Sequence, residues 1–232
     1  MVNIQLLAAK FVERVRTVGF LHASARTVRQ ALNQGIGRLN PVRDDFDILY
    51  GTDTSGTVNL WRYRIESANA KYGSFYACTS KRHIEVLLAP LPRSASFVDL
   101  GCGKGRPLLV AAQMGFKTVV GVEFVRELAE VASGNLRKIG ANATVVCADV
   151  ATYEFPADRL LVYLYDPFDA PVMASVAQKL RRHEGELWVI YVNPRHGHLF
   201  DSWMERMPLT PDQARLFAPD SVSVWHKACS VQ

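Results

Sequence analysis

Phe97-Val98-Asp99-Leu100-Gly101-Cys102-Gly103-Lys104-Gly105 is the stretch that decides the fold. An apolar run ends in a carboxylate, and three glycines follow at alternate positions. The pattern reads as a buried strand that turns sharply through a loop nearly free of side chains. Glycine takes the backbone conformations such a turn needs and lets a ligand approach backbone N–H groups closely. Pro107 falls in the first turn of the following helix, where its missing N–H is no loss. The spacing also separates nucleotide-binding loops. A dinucleotide loop has the pattern G-x-G-x-x-G, and Arg106 stands where its third glycine would be. The phosphate loop G-x-x-x-x-G-K-[ST] is not matched.

Three further apolar runs end in an acid. Residues 117–123 close on Glu123, 18 residues after Gly105. That is near the ~20 expected for an acid ending the second strand of a βαβ unit, where a carboxylate accepts from ribose hydroxyls. Residues 144–150 reach Asp149, and residues 160–168 reach Asp166-Pro167-Phe168. Helical stripes alternate with these runs. The spacing predicts helices over 105–114, 125–138 and 170–182, and strands over 96–100, 117–123, 143–148, 160–165 and 186–192. Val125, Leu128, Ala129, Ala132 and Leu136 recur on one helical face. Continuously apolar strands alternating with helices mean a parallel sheet covered on both faces.

The flanks are less regular. Residues 3–19 and 24–33 read as helices, with Phe11, Val15 and Val18 at helical spacing. Residues 40–58 are polar and turn-rich and read as a loop. Thr79 or Ser80 caps a helix running to about Ala89. A short helix is expected near 197–204. The tail, with Leu216-Phe217 and Val222–Trp225 around Ala218-Pro219-Asp220, reads as a closing hairpin.

Composition narrows the class. The chain has 232 residues, is 49% hydrophobic and carries a net charge of +5. One domain with an appendage is the natural count. No apolar run reaches the ~18 residues of a membrane span, and no signal peptide is evident. Cys78, Cys102, Cys147 and Cys229 are scattered without a C-x-x-C pair. They read as reduced thiols of a cytoplasmic protein. Residues 1–43 hold seven Lys/Arg against the single acid Glu13, and the remaining 189 residues hold 20 against 21. The basic character belongs to the N-terminal segment, as a solvated helical face or an arm for an acidic partner or surface. The near-neutral remainder argues against a nucleic acid gripped by the domain itself.

D-x-G-x-G-x-G resembles the first motif of class I S-adenosylmethionine (SAM) methyltransferases. Further stretches extend the likeness to a bacterial family of that class with no settled substrate. They are Asp45–Gly56, Tyr76-Ala77-Cys78-Thr79, Phe97–Arg106, Val119–Glu123, Asp149, Tyr165–Phe168 and Tyr191–His196. The resemblance covers residues 45 to about 200. Members often carry Asn at the position of Asp166 and Pro at that of Ser80. The likeness implies a Rossmann-like fold: a mostly parallel seven-stranded sheet, helices on both faces and a C-terminal antiparallel hairpin. An N-terminal helical extension would precede it. It divides the chain into a basic extension (1–44), a cap or substrate-side segment (45–95) and a SAM-binding domain (96–232).

The resemblance also implies site residues. Thr79, Asp99, Gly101, Cys102, Gly103, Gly105, Glu123, Asp149, Val150 and Asp166 would bind SAM and its product S-adenosylhomocysteine. Asp149 would accept from the adenine amino group. Thr79 would either bond the methionine carboxylate or simply cap a helix. Tyr72, Asp53, Thr54, Pro167, Phe168, Asn193 and His196 would lie on the acceptor side. Asp166 and Tyr76 are the catalytic candidates. Asp166-Pro167-Phe168 partly resembles the [DN]-P-P-[YFW] segment of amino-group methyltransferases, one proline short. That favours a nitrogen acceptor on a protein side chain or a small molecule. The alternatives are a small-molecule hydroxyl, and a non-catalytic SAM-sensing module acting through its basic segment. His196 and His198 lack the Cys or carboxylate partners of a metal site, so no metal is expected.

Overall fold

A computed structural model describes residues 43–58 and 76–229, together with Val12, Tyr63, Asn69, Tyr72 and Gly73. The helices expected over 3–19 and 24–33 lie outside the described residues. In chain order the elements are α1 (Asp45–Tyr50), β1 (Thr57–Val58), β2 (Tyr76–Ala77), α2 (Lys81–Leu88), β3 (Ser96–Leu100), α3 (Arg106–Gln113), β4 (Val119–Glu123), α4 (Arg126–Lys138), β5 (Thr144–Cys147), β6 (Leu160–Tyr165), α5 (Ala170–Arg181), β7 (Leu187–Val192), α6 (His198–Asp201), β8 (Glu205–Met207), α7 (Pro211–Leu216) and β9 (Val222–Lys227).

The continuous apolar runs become the middle of a seven-stranded sheet of order β5-β4-β3-β6-β7-β9-β8. The strands from β5 to β7 are parallel, and β9 and β8 close the sheet antiparallel. Both faces are covered. Along β6, Leu161 and Tyr163 pack on one side with Leu87 of α2 and Leu108 of α3. Leu160, Val162 and Leu164 pack on the other with Met173 and Val176 of α5. Each such fully buried aliphatic side chain contributes about 1.5–3 kcal/mol. The Rossmann-like class I fold expected from the sequence is the fold observed. Strand order reverses beside β3, whose neighbours are β4 and β6. The carboxyl ends of these three strands therefore frame a crevice, where open α/β sheets bind ligands.

Local chemistry sets the helix ends. Ser80, not Thr79, caps α2: its side chain accepts from the His83 N–H. α4 carries Glu127 in its first turn and Arg137 and Lys138 in its last, which complements the helix dipole.

Two expectations are corrected. Residues 40–58 are not all loop, because Asp45–Tyr50 is helical. The Asp44 side chain accepts from the Asp47 N–H at its start, and Gly51 ends it at φ 66°. Six residues are too few to display a helical period. The closing hairpin is also not Leu216-Phe217 against Val222–Trp225. β8 pairs with β9, and α7 fills the connection, held by a reciprocal Thr210–Gln213 capping box. A three-residue edge strand such as β8 leaves no alternation to read.

Candidate active site

The loop after β3 is tied down before any ligand is considered. The Gly101 and Cys102 N–H groups donate to the Val122 carbonyl of β4. Gly101, Gly103 and Gly105 all have positive φ, at 77°, 53° and 85°. Gly103 has a second reason to be glycine. A Cβ there would lie 2.0 Å from the Tyr76 ring. Tyr76 therefore packs flush on the loop backbone.

Two buried carboxylates face this loop. Glu123 ends β4 and is 4% exposed. One oxygen accepts from the Gly103 N–H and the other from the Val125 N–H, each at 2.9 Å. A carboxylate oxygen has two lone-pair sites, so the group keeps room for a further donor. Burial pushes the Glu123 carboxyl up to about 7, opposed by these backbone hydrogen bonds. Asp99, at the end of β3, is 2% exposed. Its Oδ2 has no hydrogen-bond partner among the described residues. Burial first, and then Glu123, push it well above the usual carboxylate range. An unpartnered buried carboxylate oxygen is costly and marks a place for a donor.

A cleft of about 590 Å³, open to solvent, lies over these groups. Tyr76, Thr79, Tyr163 and Tyr165 form part of its wall, with Phe124 and Phe168. Tyr163 sits in register with Asp99, and its hydroxyl is 3.4 Å from that of Thr79. A smaller recess of about 280 Å³ shares Gly101, Phe124 and Phe168 with the cleft and reaches Asp149 and Val150. Asp149 accepts from the Asn69 side chain and the Ala151 N–H, both at 2.9 Å.

The segment 44–55 is bound to the outside of the loop. Arg106, the first residue of α3, is 1% exposed. Its guanidinium grips Asp44 with two nitrogens, at 2.6 and 2.8 Å, and donates from Nε to Thr54 Oγ1 at 2.7 Å. Asp47, fully buried, accepts from the side chains of Thr52, Thr54 and Ser55. Burial would raise its carboxyl, but these hydrogen bonds hold it well below the usual range.

Comparison with known proteins fits this geometry. The family model described as "Methyltransferase domain" matches residues 97–184. Residues 97–184 form a methyltransferase domain. The seven-stranded sheet is the Rossmann-like class I arrangement. No curated protein matches the sequence. Among solved structures, a TehB-like SAM-dependent methyltransferase from Corynebacterium glutamicum is 18% identical. Its TM-score is 0.45, over 64% of this chain and 88% of that one. Magnesium protoporphyrin IX methyltransferase from Synechocystis, solved with bound SAM, is 14% identical at a TM-score of 0.48, over 65% and 79%. The YcgJ protein from Bacillus subtilis is 17% identical at 0.41, over 52% and 54%.

The methyltransferase cleft brings together Tyr76, Thr79, Asp99, Gly101, Cys102 and Gly103. Glu123, Pro167 and Phe168 join them. Asp149 and Val150 line the adjoining recess. Cys102 points inward beneath Gly121, and burial holds its thiol protonated. Gly105, Asp53 and Thr54 are not in the lining. Asp53 pairs with Lys104 at 2.7 Å, and Thr54 belongs to the Arg106 network. Tyr72 is not in the lining either, and its carbonyl accepts from the Asp169 N–H. Asp166 directly follows β6 with φ 40°, and its carboxylate pairs with Arg195 Nε at 2.5 Å rather than facing the lining. Asn193 (φ 52°) and His196 follow the end of β7 and are not in the lining. Among the described residues, no three His, Cys, Asp or Glu side chains form a metal-binding group. No described helix is long and apolar enough to cross a membrane.

Several residues escaped the sequence reading. Tyr163 looked like an ordinary strand residue. Asn69 lies in a stretch without a period. Arg106 was visible only as an absent glycine. Its acidic partners lie about 60 positions upstream, and no local pattern links them.

Proposed function

We propose that the enzyme transfers the methyl group of SAM to a nitrogen acceptor on a protein side chain or a small molecule. The Asp166-Pro167-Phe168 turn carries this reading. Tyr165, Pro167 and Phe168 wall the cleft, and Asp166 is fixed between them by Arg195. An amine reacts through its neutral lone pair. A turn offering backbone carbonyls and an aromatic ring at the cleft wall, held in place by the Asp166–Arg195 pair, orients an N–H and leaves that lone pair free.

The residues present fit the cofactor. The unpartnered Asp99 oxygen suits its ammonium group. The Glu123 carboxylate suits its ribose hydroxyls, and the recess at Asp149 and Val150 suits the adenine. Thr79 suits the carboxylate of the methionine end. Once bound, SAM supplies a methyl group already activated for in-line displacement. The protein's part is to align the acceptor and exclude water, with Tyr76, Phe124 and Phe168 closing the walls. The test is methyl transfer from labelled SAM to cell lysate split into protein, nucleic-acid and small-molecule fractions. Label in the protein or the small-molecule amine fraction is expected. Label confined to nucleic acid would overturn the acceptor class. Tight SAM binding with no transfer to any fraction would favour a sensing module.

Glu123→Ala should weaken binding of S-adenosylhomocysteine at least about tenfold, equal to about 1.4 kcal/mol, while the protein stays folded. Calorimetry reads it, and unchanged affinity would place the ribose elsewhere.

Affinity should also depend on pH. The Glu123 carboxyl, raised to about 7, accepts ribose hydroxyls best when ionised. Binding should therefore strengthen as pH rises from 6 to 8. The free protein responds in the opposite sense. A raised folded-state value means that the stability from this group is full below its unfolded value and is lost as pH climbs through about 7. Titrations at both pH values decide it, and the dependence should be shallower in Glu123→Gln. Equal slopes for the two proteins would exclude Glu123.

A further inference from the structure

Cofactor loops of this kind are held from below by the sheet. Here a second element holds the loop from outside. We propose that residues 44–55 are a strap whose seating on the glycine loop sets cofactor affinity, with Arg106, Asp47 and Thr54 as positioning residues.

The strap reaches the cofactor loop by three routes. The Asn135 side chain of α4 bonds both the N–H and the carbonyl of Asp53, and also the Lys104 carbonyl inside the loop. Lys104 Nζ returns to the Asp53 carboxylate and the Ser55 carbonyl. The Tyr76 hydroxyl donates to the Thr54 carbonyl, while its ring rests on Gly103. A shift of Thr54 therefore moves the cleft wall and the loop backbone together.

The charge pattern says what Arg106 does. Arg106 is among the residues that line the cleft, which invites a role as receptor for the cofactor's carboxylate. Yet it is shared between Asp44, at 2.6 Å, and Asp47, at 3.6 Å. Two carboxylates already over-neutralise the one cation, so it offers no net positive charge to an anion. Its planar fork instead fixes geometry, gripping Asp44 bidentately and Thr54 through Nε. Asp47 fixes the turn in the same way, binding the Thr54 and Ser55 N–H groups as well as their hydroxyls. The strap is thus seated by charges that are spent on one another.

Coupling of this kind is reciprocal. If the seated strap favours the cofactor, the cofactor must favour the seated strap. The proposal rests on SAM being the cofactor, and the experiment separates the two claims. Wild-type protein is first titrated with S-adenosylhomocysteine; failure there condemns the cofactor assignment alone. Thr54→Val keeps the side chain's shape but removes the hydroxyl that joins Arg106 to Asp47. It should lose about tenfold in affinity, within the usual range of such couplings, and Thr54→Ser should restore it. In wild type, S-adenosylhomocysteine should slow hydrogen exchange at the Thr54 and Ser55 amides. Should Thr54→Val fail to fold, Tyr76→Phe removes only the hydroxyl that meets the strap, and it too should lose affinity several-fold. Wild-type affinity in the folded variant, with amide exchange indifferent to ligand, would leave the strap a purely structural element and overturn the proposal.

Discussion

Asp166→Ala should lower kcat by about 10²-fold on the true acceptor, the cost of displacing by about 1 Å the wall that positions the reactants, and leave S-adenosylhomocysteine affinity nearly unchanged. The expectation follows from where the residue stands. It leaves β6 with φ 40°, a conformation that disfavours most side chains but that Asp and Asn adopt more readily. Its carboxylate is fixed by Arg195, which also reaches Asp169 at 3.2 Å. Such backbone strain is characteristic of functional sites. Alanine removes the carboxylate that anchors the turn to Arg195 and adds about 1–2 kcal/mol of backbone cost at positive φ. Asp166→Asn is the cleaner companion, since it keeps an acceptor oxygen and suits the same backbone. It should be the milder variant. Loss of cofactor affinity in both, with turnover retained at saturating SAM, would make Asp166 a cofactor contact. Equal kcat for wild type and Asp166→Ala would remove it from the reaction.

Arg106→Ala should destabilise the fold by about 3 kcal/mol, the lower end of the range for breaking a buried ion pair. The lower end applies because Asp44 is 45% exposed at its side chain and water screens that half of the pairing. Asp47 cannot escape in the same way. It is fully buried and loses its nearby cation. The Phe46 ring also loses the guanidinium stacked 4.7 Å away. For a domain of this size 1 kcal/mol corresponds to about 2–4 °C, so Tm should fall by about 6–12 °C. Arg106→Lys keeps the charge but not the fork and should recover only part. A fall of under about 3 °C in Arg106→Ala would mean that the network is not worth its burial.

What the sequence discloses follows from how local its signals are. Asp99 and Glu123 are legible because each ends a continuous apolar run and so must stand at the carboxyl edge of a buried strand. The same reasoning reaches Asp149 and Asp166 as strand-end residues. It does not reach the direction of a side chain, and the Asp166 carboxylate turns toward Arg195, which lies across the end of β7. The strap is illegible for a different reason. Its decisive contact joins Arg106 to Asp44 across 62 positions, and neither hydrophobic period nor turn chemistry registers a pairing at that range. α1 and β8 were lost to brevity, since six and three residues do not complete a readable pattern.

The central claim is that the cleft at the ends of β3, β4 and β6 is built for SAM. The most direct measurement is a calorimetric titration of the wild-type protein with S-adenosylhomocysteine and, separately, with NAD. Saturable one-to-one binding of S-adenosylhomocysteine, weakened by Glu123→Ala, is the predicted result, and NAD should give no signal. At about 100 times its Kd the ligand should also stabilise the fold by roughly 2.7 kcal/mol. Binding of NAD with S-adenosylhomocysteine inert would contradict the account.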